Sequence, residues 1–242
     1  SFGSSLGSTA ANTAGEGIAS ATSSGTTVAP PKRLWEVDRS PVAGMGFAQG
    51  ASSFATSTHL YFAERASGYI FDADPQGGHV VRITNTLMPK TYEAIFVSGK
   101  HGVLLRSLDK AGAITTFAGT FQATTSSSTT TLQTLSGYYL AKNILSVALD
   151  PKSSMLFYLT RDPVSRGVLG MALAWSATKP KQIFTSTIAS WRPQYWSGQI
   201  MLVESPASAV PGYAYTISKT GTLVPLLGPA PGLTLLLHPS EN

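Results

Sequence analysis

The chain has 242 residues, which suits one domain of ordinary size or a smaller domain with a tail. Hydrophobic residues make up 43% and charged residues only 12%, so a sizeable core can form but a helical bundle rich in Glu, Lys and Arg is excluded. The net charge is +5 and there is no Cys, which removes a disulfide scaffold, a zinc ribbon and a cysteine nucleophile.

Residues 1–33 read as a linker or arm, separate from the rest. Of the first 31 residues, 23 are Ser, Thr, Gly or Ala, and Glu16 is the sole charge. Such a segment buries too little apolar surface to offset its ordering entropy, so a flexible tether is expected. The sharper reading is an arm docking on a neighbouring subunit through Phe2, Leu6, Ile18 and Val28. The start at Ser1, within Gly/Ser/Thr-rich sequence, reads as a processed end from which an upstream signal or anchor has been removed.

From residue 34 to 242 the signals are those of strands. Val, Ile, Thr, Tyr and Phe alternate with small or polar residues, and Gly, Pro, Asn and Asp interrupt the runs. No window sustains a capped helical period. The glycine-rich stretch Gly44-Met45-Gly46-Phe47-Ala48-Gln49-Gly50 lacks the strand–loop–helix context of a dinucleotide-binding loop and reads as a loop entering the first blade. Strands follow at 59–64, 68–73 and 79–84.

A repeat then emerges. Strands at 143–150, 188–192 and 232–238 each run into a proline-containing turn, at Pro151, Pro193 and Pro239, in steps of 42 and 46 residues. One step earlier, 92–97 runs into Ser98-Gly99-Lys100, the longer gap being filled by a Ser/Thr insert at 124–131. Second strands are expected at 103–106, 155–160 and 200–204, third strands at 114–117, 168–173 and 213–218, and fourth strands at 132–140, 182–185 and 222–227. Four strands in this spacing is the size of a propeller blade. The expected architecture is all-β: four complete blades at about 45–88, 92–141, 143–186 and 187–230. The apolar stretch 231–242 would begin a fifth, so that the propeller belongs to a larger ring. The alternative is that this last strand completes the first blade by exchange.

Ala189-Ser190-Trp191-Arg192-Pro193 and Ala148-Leu149-Asp150-Pro151-Lys152 resemble the W-S-P-D-G hallmark of TolB-type and WD-like propeller repeats, though neither copy has both the Asp and the Gly after Pro. Phe62-Ala63-Glu64-Arg65-Ala66-Ser67-Gly68-Tyr69-Ile70, Arg82-Ile83-Thr84-Asn85-Thr86, and Gly212-Tyr213-Ala214-Tyr215 leading to Leu227-Gly228-Pro229-Ala230-Pro231-Gly232-Leu233 resemble membrane-anchored propeller proteins of candidate-phyla-radiation bacteria. The resemblance spans roughly residues 55–240. It implies a propeller carried by an anchor absent from this chain, and it transfers no catalytic residue.

Chemistry-bearing motifs are sparse. Asp72-Ala73-Asp74-Pro75-Gln76-Gly77 has alternating carboxylates but lacks the remaining ligands of a calcium loop, and reads as a hairpin turn. His59, His79, His101 and His238 have no metal-ligand spacing, and no G-x-S-x-G elbow occurs. Glu64, Glu93, Asp150 and Glu204 lie on or beside strands and read as solvent-facing or salt-bridged. No catalytic residue, metal ligand or cofactor is assigned. Trp191 sits where propeller repeats bury an aromatic. Arg192, Tyr195 and Trp196 are the candidate binding residues, the latter two placed in the following turn, because aromatics with Arg anchor binding surfaces.

The basic residues are scattered, with Lys32-Arg33 and Lys179/Lys181 the densest groups, so nucleic acid is not an expected partner. No apolar run reaches the roughly 18 residues of a spanning helix. The expected function is an extracellular or cell-surface propeller that binds a protein or glycan, without enzymatic activity. The alternatives are a carbohydrate-active enzyme on a propeller, and a structural subunit of a surface assembly. Self-association would run through residues 1–31 or 231–242.

Overall fold

The computed structural model describes residues 36–49, 58–75, 79–97, 101–121, 132–150, 152, 154–204, 211–218 and 221–235. The arm at 1–33, with Phe2, Leu6, Ile18 and Val28, lies outside the described residues. So do the insert at 124–131 and the end of the chain from 236.

The described residues are all-β, in four successive four-stranded antiparallel sheets, the blades of a β-propeller. The first blade holds β1 (Val42–Gln49), β2 (Thr58–Glu64), β3 (Ile70–Ala73) and β4 (Val80–Arg82). The second holds β5 (Thr91–Val97), β6 (Gly102–Leu108), β7 (Ile114–Thr120) and β8 (Ser136–Tyr139). The third holds β9 (Ser146–Leu149), β10 (Met155–Arg161), β11 (Val168–Ala174) and β12 (Lys181–Ser186). The fourth holds β13 (Trp191–Trp196), β14 (Gln199–Glu204), β15 (Gly212–Ile217) and β16 (Leu223–Ala230). Each sheet is a meander in chain order. The first strands of neighbouring blades lie side by side, β1 against β5 and β9 against β13.

Two expectations about local structure are corrected. The glycine-rich stretch at 44–50 is not a loop: residues 44–49 are part of β1, the first strand of the first blade. A Cβ at Gly44 would fall 2.0 Å from the Ala94 carbonyl oxygen, and one at Gly46 would fall 2.6 Å from Phe96 Cβ. The glycines are there because β5 of the next blade approaches too closely for a side chain. Pro193 likewise makes no turn. It lies within β13, opposite Leu202. β13 is an edge strand of its sheet, where a missing N–H need not break the ladder. The turn comes later, at Ser197-Gly198, where both residues take positive φ (49° and 74°) as a two-residue hairpin requires. In the third blade Pro151 lies outside the described residues, and Asp150 supplies the hydrogen bonds around it. Asp150 Oδ1 accepts from the Lys152 N–H at 3.0 Å, and the Asp150 carbonyl accepts from the Ser154 N–H.

Among the described residues, three buried apolar clusters lie in the seams between blades, and a fourth, of Leu60, Phe62 and Ala73, lies within the first blade. Tyr61, Ala63, Ile70 and Ile83 meet Ala94, Val103, Leu105 and Phe117 between the first and second. Leu104 and Ala118 meet Ile144, Leu156, Tyr158 and Leu173 between the second and third. Phe157, Leu159, Val168 and Phe184 meet Trp191 and Leu202 between the third and fourth. Polar contacts add to two seams. Thr84 forms a parallel bridge with Gln133, and Leu135 N–H donates to Thr86 Oγ1 at 2.7 Å. Arg106, buried on β6, donates to Glu93 Oε2 at 2.5 Å and reaches across to the Ile144 carbonyl at 2.7 Å.

The first blade is complete from its own residues, so no strand from 231–242 is needed to finish it. Residues 231–235 are turn and irregular chain rather than ladder-paired strand. Residues 236–242, the rest of the expected fifth-blade strand, lie outside the described residues.

Candidate functional site

β13 carries the residues singled out for binding. Trp191 is buried, 6% exposed, in the seam with the third blade. Its ring meets Phe184 edge-on at 5.8 Å and Tyr215 at 5.7 Å, and its Nε1–H donates to Ser186 Oγ at 3.2 Å. Strand alternation puts Trp191, Pro193 and Tyr195 on this inner face and Arg192, Gln194 and Trp196 on the other. Tyr195 and Trp196 therefore lie on the strand, not in the turn. Tyr195 packs on the buried cluster around Trp191, and burial together with the Asp150 carboxylate pushes its phenol up to about 12. Arg192 is exposed, and Trp196 is 43% exposed beside the hairpin. The two share a face but stand about 13 Å apart, at ~3.3 Å per residue. The structure thus separates the trio: Arg192 and Trp196 on the open face of the fourth blade, Tyr195 behind it.

A second grouping escaped the reading of the sequence. His59 is the second residue of β2 and Asp72 sits on β3, both on the face turned to the second blade. His59 Nδ1 bonds Asp72 Oδ2 at 2.8 Å and Oδ1 at 2.9 Å, with the side chains 2% and 1% exposed. Asp72 is therefore neither a turn residue nor half of a calcium loop; Asp74 makes the turn, its N–H donating to the His79 carbonyl. The His59 ring stacks on Tyr61 at 5.5 Å. His101, just before β6, meets Tyr61 edge-on at 6.0 Å and Phe121 at 5.5 Å. Tyr61 Oη and His101 Nδ1 are buried with no hydrogen-bond partner among the described residues. Burial, helped by the Asp72 charge, holds the Tyr61 phenol above the ordinary tyrosine range. Burial and the neighbouring His59 hold His101 below the ordinary 6.5, against an opposing pull from Asp72.

A carboxylate that fixes one imidazole nitrogen is the arrangement of a general base and its orienting acid. Here both partners are sealed between blades, and rings at 5.0–6.4 Å from one another fill the space around them. The arrangement can hold protons and position rings, but it does not face solvent. No group of three or more His, Cys, Asp or Glu among the described residues is disposed to hold a metal ion. Glu64, Glu93, Asp150 and Glu204 fall on or beside four different blades. Glu93 is paired with Arg106, and Asp150 is buried rather than solvent-facing. The missed signal was a long-range one: His59 and Asp72 become neighbours only once β2 and β3 pair with Tyr61 opposite Asp72.

No family model matches the chain, and no curated protein matches it by sequence. Among solved structures, the chain is similar to one in a nidogen/laminin complex, at 8% identity and a TM-score of 0.42, over 68% of this chain and 57% of that one. It is also similar to a lectin of Aleuria aurantia in complex with Fucalpha1-6GlcNAc, at 12% identity and 0.39, over 78% and 63%. A gluconolactonase from Xanthomonas campestris is a further likeness, at 11% identity and 0.28, over 78% and 77%. These neighbours are β-propeller-like proteins. The chain spans less than two thirds of the nidogen/laminin chain and of the lectin. The blade assignment rests on this chain's own strand pairing.

Proposed function

We propose that the chain is a non-enzymatic propeller module, displayed outside the cell or at its surface, that binds a protein or glycan partner. The observation that carries the reading is Trp196. A tryptophan 43% exposed at a hairpin, on the same sheet face as an exposed Arg192, offers a flat apolar ring and a cation where a partner can reach them. An indole stacks on the C–H face of a sugar or fills a pocket on a protein, and Arg adds directed donors. Surface display rests on the Ser/Thr/Gly/Ala-rich first 31 residues, the low charge, and the resemblance to membrane-anchored propeller proteins. No helix among the described residues is long and apolar enough to cross a membrane.

The test is a glycan array and a surface-protein pull-down with the whole chain and with Trp196→Ala. Capture of one glycan class or one protein, reduced at least about tenfold by the substitution, supports the reading, since that is the loss of a modest hot spot. Binding untouched by both Trp196→Ala and Arg192→Ala would move the site elsewhere.

The enzymatic reading has one observation in its favour, the His59–Asp72 pair with His101 beside it, and it requires the seam to open because the pair does not face solvent. Turnover of a glycan substrate that is abolished by His101→Phe in a folded protein would establish it and displace the binding reading.

A further inference from the structure

The outer strands of the first three blades are short or polar. β4 has three residues, β8 is Ser136-Gly137-Tyr138-Tyr139, and β12 exposes Lys181, Gln182 and Thr185. β16, the outer strand of the fourth blade, departs from that pattern. It runs Leu223-Val224-Pro225-Leu226-Leu227-Gly228-Pro229-Ala230, without one polar side chain. Every residue from Val224 to Pro229 is exposed, with Val224 at 47%, Leu226 at 49% and Leu227 at 50%. Successive strand residues point to opposite faces, so β16 stands bare on both faces as well as along its edge. It is an apolar ridge, and exposed surface of that kind marks a protein or membrane contact.

Two features select the partner. The edge is blunted against strand addition, because Pro225 and Pro229 remove two backbone donors from it. What β16 offers is therefore its side chains. The second feature is charge. Between residues 163 and 240 the sequence has Arg166, Lys179, Lys181, Arg192 and Lys219 against Glu204 as the one acid. Lys179 and Lys181 are exposed, and Lys181 stands two residues before Ile183 on β12. The turn into β16 sits on that same point. A Cβ at Gly221 would fall 2.5 Å from the Ile183 carbonyl oxygen, and Ile183 and Leu223 pack on the same buried cluster. The ridge thus begins beside a pair of lysines, whereas Glu204 lies two strands away on β14.

We propose that β16 and the lysines at its head form a membrane-docking edge, in which Val224, Leu226 and Leu227 enter the surface of an anionic phospholipid bilayer and Lys179 and Lys181 meet its headgroups. A ridge bare on both faces suits a deformable apolar phase that closes around it, whereas a protein partner would have to supply a groove already cut to its shape. The basic flank adds attraction to anionic lipid. A second copy is the poorer occupant, because a two-fold contact between ridges would set the same lysines against one another. The edge is separate from Arg192 and Trp196, which lie on β13 at the opposite side of the sheet. Its test therefore does not depend on the binding reading above.

The experiment uses the whole chain with vesicles of phosphatidylcholine, either alone or with about one third phosphatidylserine. The chain should co-sediment with the anionic vesicles. Leu226→Ser combined with Leu227→Ser should weaken that binding at least about tenfold, the loss of two aliphatic side chains from the bilayer. Lys179→Gln combined with Lys181→Gln should weaken it about tenfold on anionic vesicles and leave the neutral ones unchanged. The chain has no cysteine, so Leu226→Cys carries a single environment-sensitive dye, with Val164→Cys, in an exposed turn, as the comparison. A blue shift on anionic vesicles is expected at 226 and none at 164. Failure to bind either kind of vesicle would overturn the proposal and leave the ridge to a protein partner. Binding that survives the two serine substitutions, or an equal dye shift at both positions, would overturn it as adsorption by charge alone. A dimer in light scattering that dissociates in the serine variant would overturn it too, by assigning the edge to a second copy.

Discussion

Between the third and fourth blades the contact is dry and aromatic: Trp191 against Phe184 and Tyr215, over Phe157 and Leu202, with one hydrogen bond from the indole. Between the first and second blades a glycine-bearing strand lets a neighbour in to touching distance, and a buried His59–Asp72 pair sits among Tyr61, Phe96 and Phe121. The same four-stranded unit is thus joined to its neighbour in two ways. One seam is held by filling space with a large ring. The other is held by removing side chains and pairing a buried carboxylate with an imidazole inside. The two should fail differently. A space-filling seam suffers most from truncation, and a close-approach seam suffers most from addition.

The largest effect is expected at the dry seam. Trp191→Ala empties the centre of the aromatic cluster and should cost about 3–5 kcal/mol, the range for a deleted core aromatic. Chemical denaturation of the two proteins measures it, and a loss under about 1 kcal/mol would mean that the ring is not a core residue at all. Next comes addition at the close seam. Gly44→Ala puts a methyl group 2.0 Å from the Ala94 carbonyl oxygen, a backbone atom that cannot swing aside. About 1–3 kcal/mol of overpacking is expected. Gly46→Ala meets Phe96 Cβ at 2.6 Å, an atom also fixed to the backbone but a less severe overlap than 2.0 Å, and should cost less. If Gly46→Ala proved the more damaging, the first seam would be set by ring packing, like the third, and the contrast would dissolve.

Removing the buried carboxylate is a subtler probe. Asp72→Ala takes away the partner of His59 Nδ1 and should cost about 1–3 kcal/mol, the desolvation penalty of a buried group left short of its bond. Asp72→Asn keeps an acceptor and should recover part of that loss. Equal losses for Ala and Asn in thermal melts would show that charge rather than hydrogen bonding carries the pair.

The contrast between seams also explains what could be read in advance. The blade repeat and the burial of Trp191 were legible because they rest on local signals, such as alternating strands, turn residues and a tryptophan at the repeat position. The first strand of the first blade was not legible. Gly44 and Gly46 serve a contact fifty residues away at Ala94 and Phe96, and glycine read locally means a loop. The strand at Pro193 was misread for a related reason. A proline reads as a turn unless the strand is known to lie at a sheet edge, which only the assembled sheet reveals. Of the candidate binding residues, the types were legible and the facing was not. Tyr195 and Trp196 are adjacent in sequence, so on a strand they point to opposite sides, and the assumption of a turn concealed that.

The smallest expected effect at neutral pH is also the most specific. His101 lies at the edge of the polar seam, between Tyr61 and Phe121, with His59 and Asp72 as its charged neighbours. Its folded-state pKa is held below the ordinary 6.5. As pH falls through about 6.5, the unfolded chain binds a proton at this position before the folded chain does, so stability must decline. The decline begins near the unfolded value and ends once pH passes below the folded value, with a slope of at most about 1.4 kcal/mol per pH unit for one proton. Above that window the contribution is complete and flat. His101→Phe keeps a ring between Tyr61 and Phe121 and removes both the titrating group and a buried Nδ1 that has no hydrogen-bond partner among the described residues. At pH 8 the variant should match the parent within about 1 kcal/mol, because one aromatic replaces another and a desolvated nitrogen is lost. Below pH 6.5 the two curves should separate, with the parent losing stability faster. Denaturation midpoints taken from pH 8 to pH 5 decide it. Parallel curves would exclude His101 as the group whose proton the polar seam refuses.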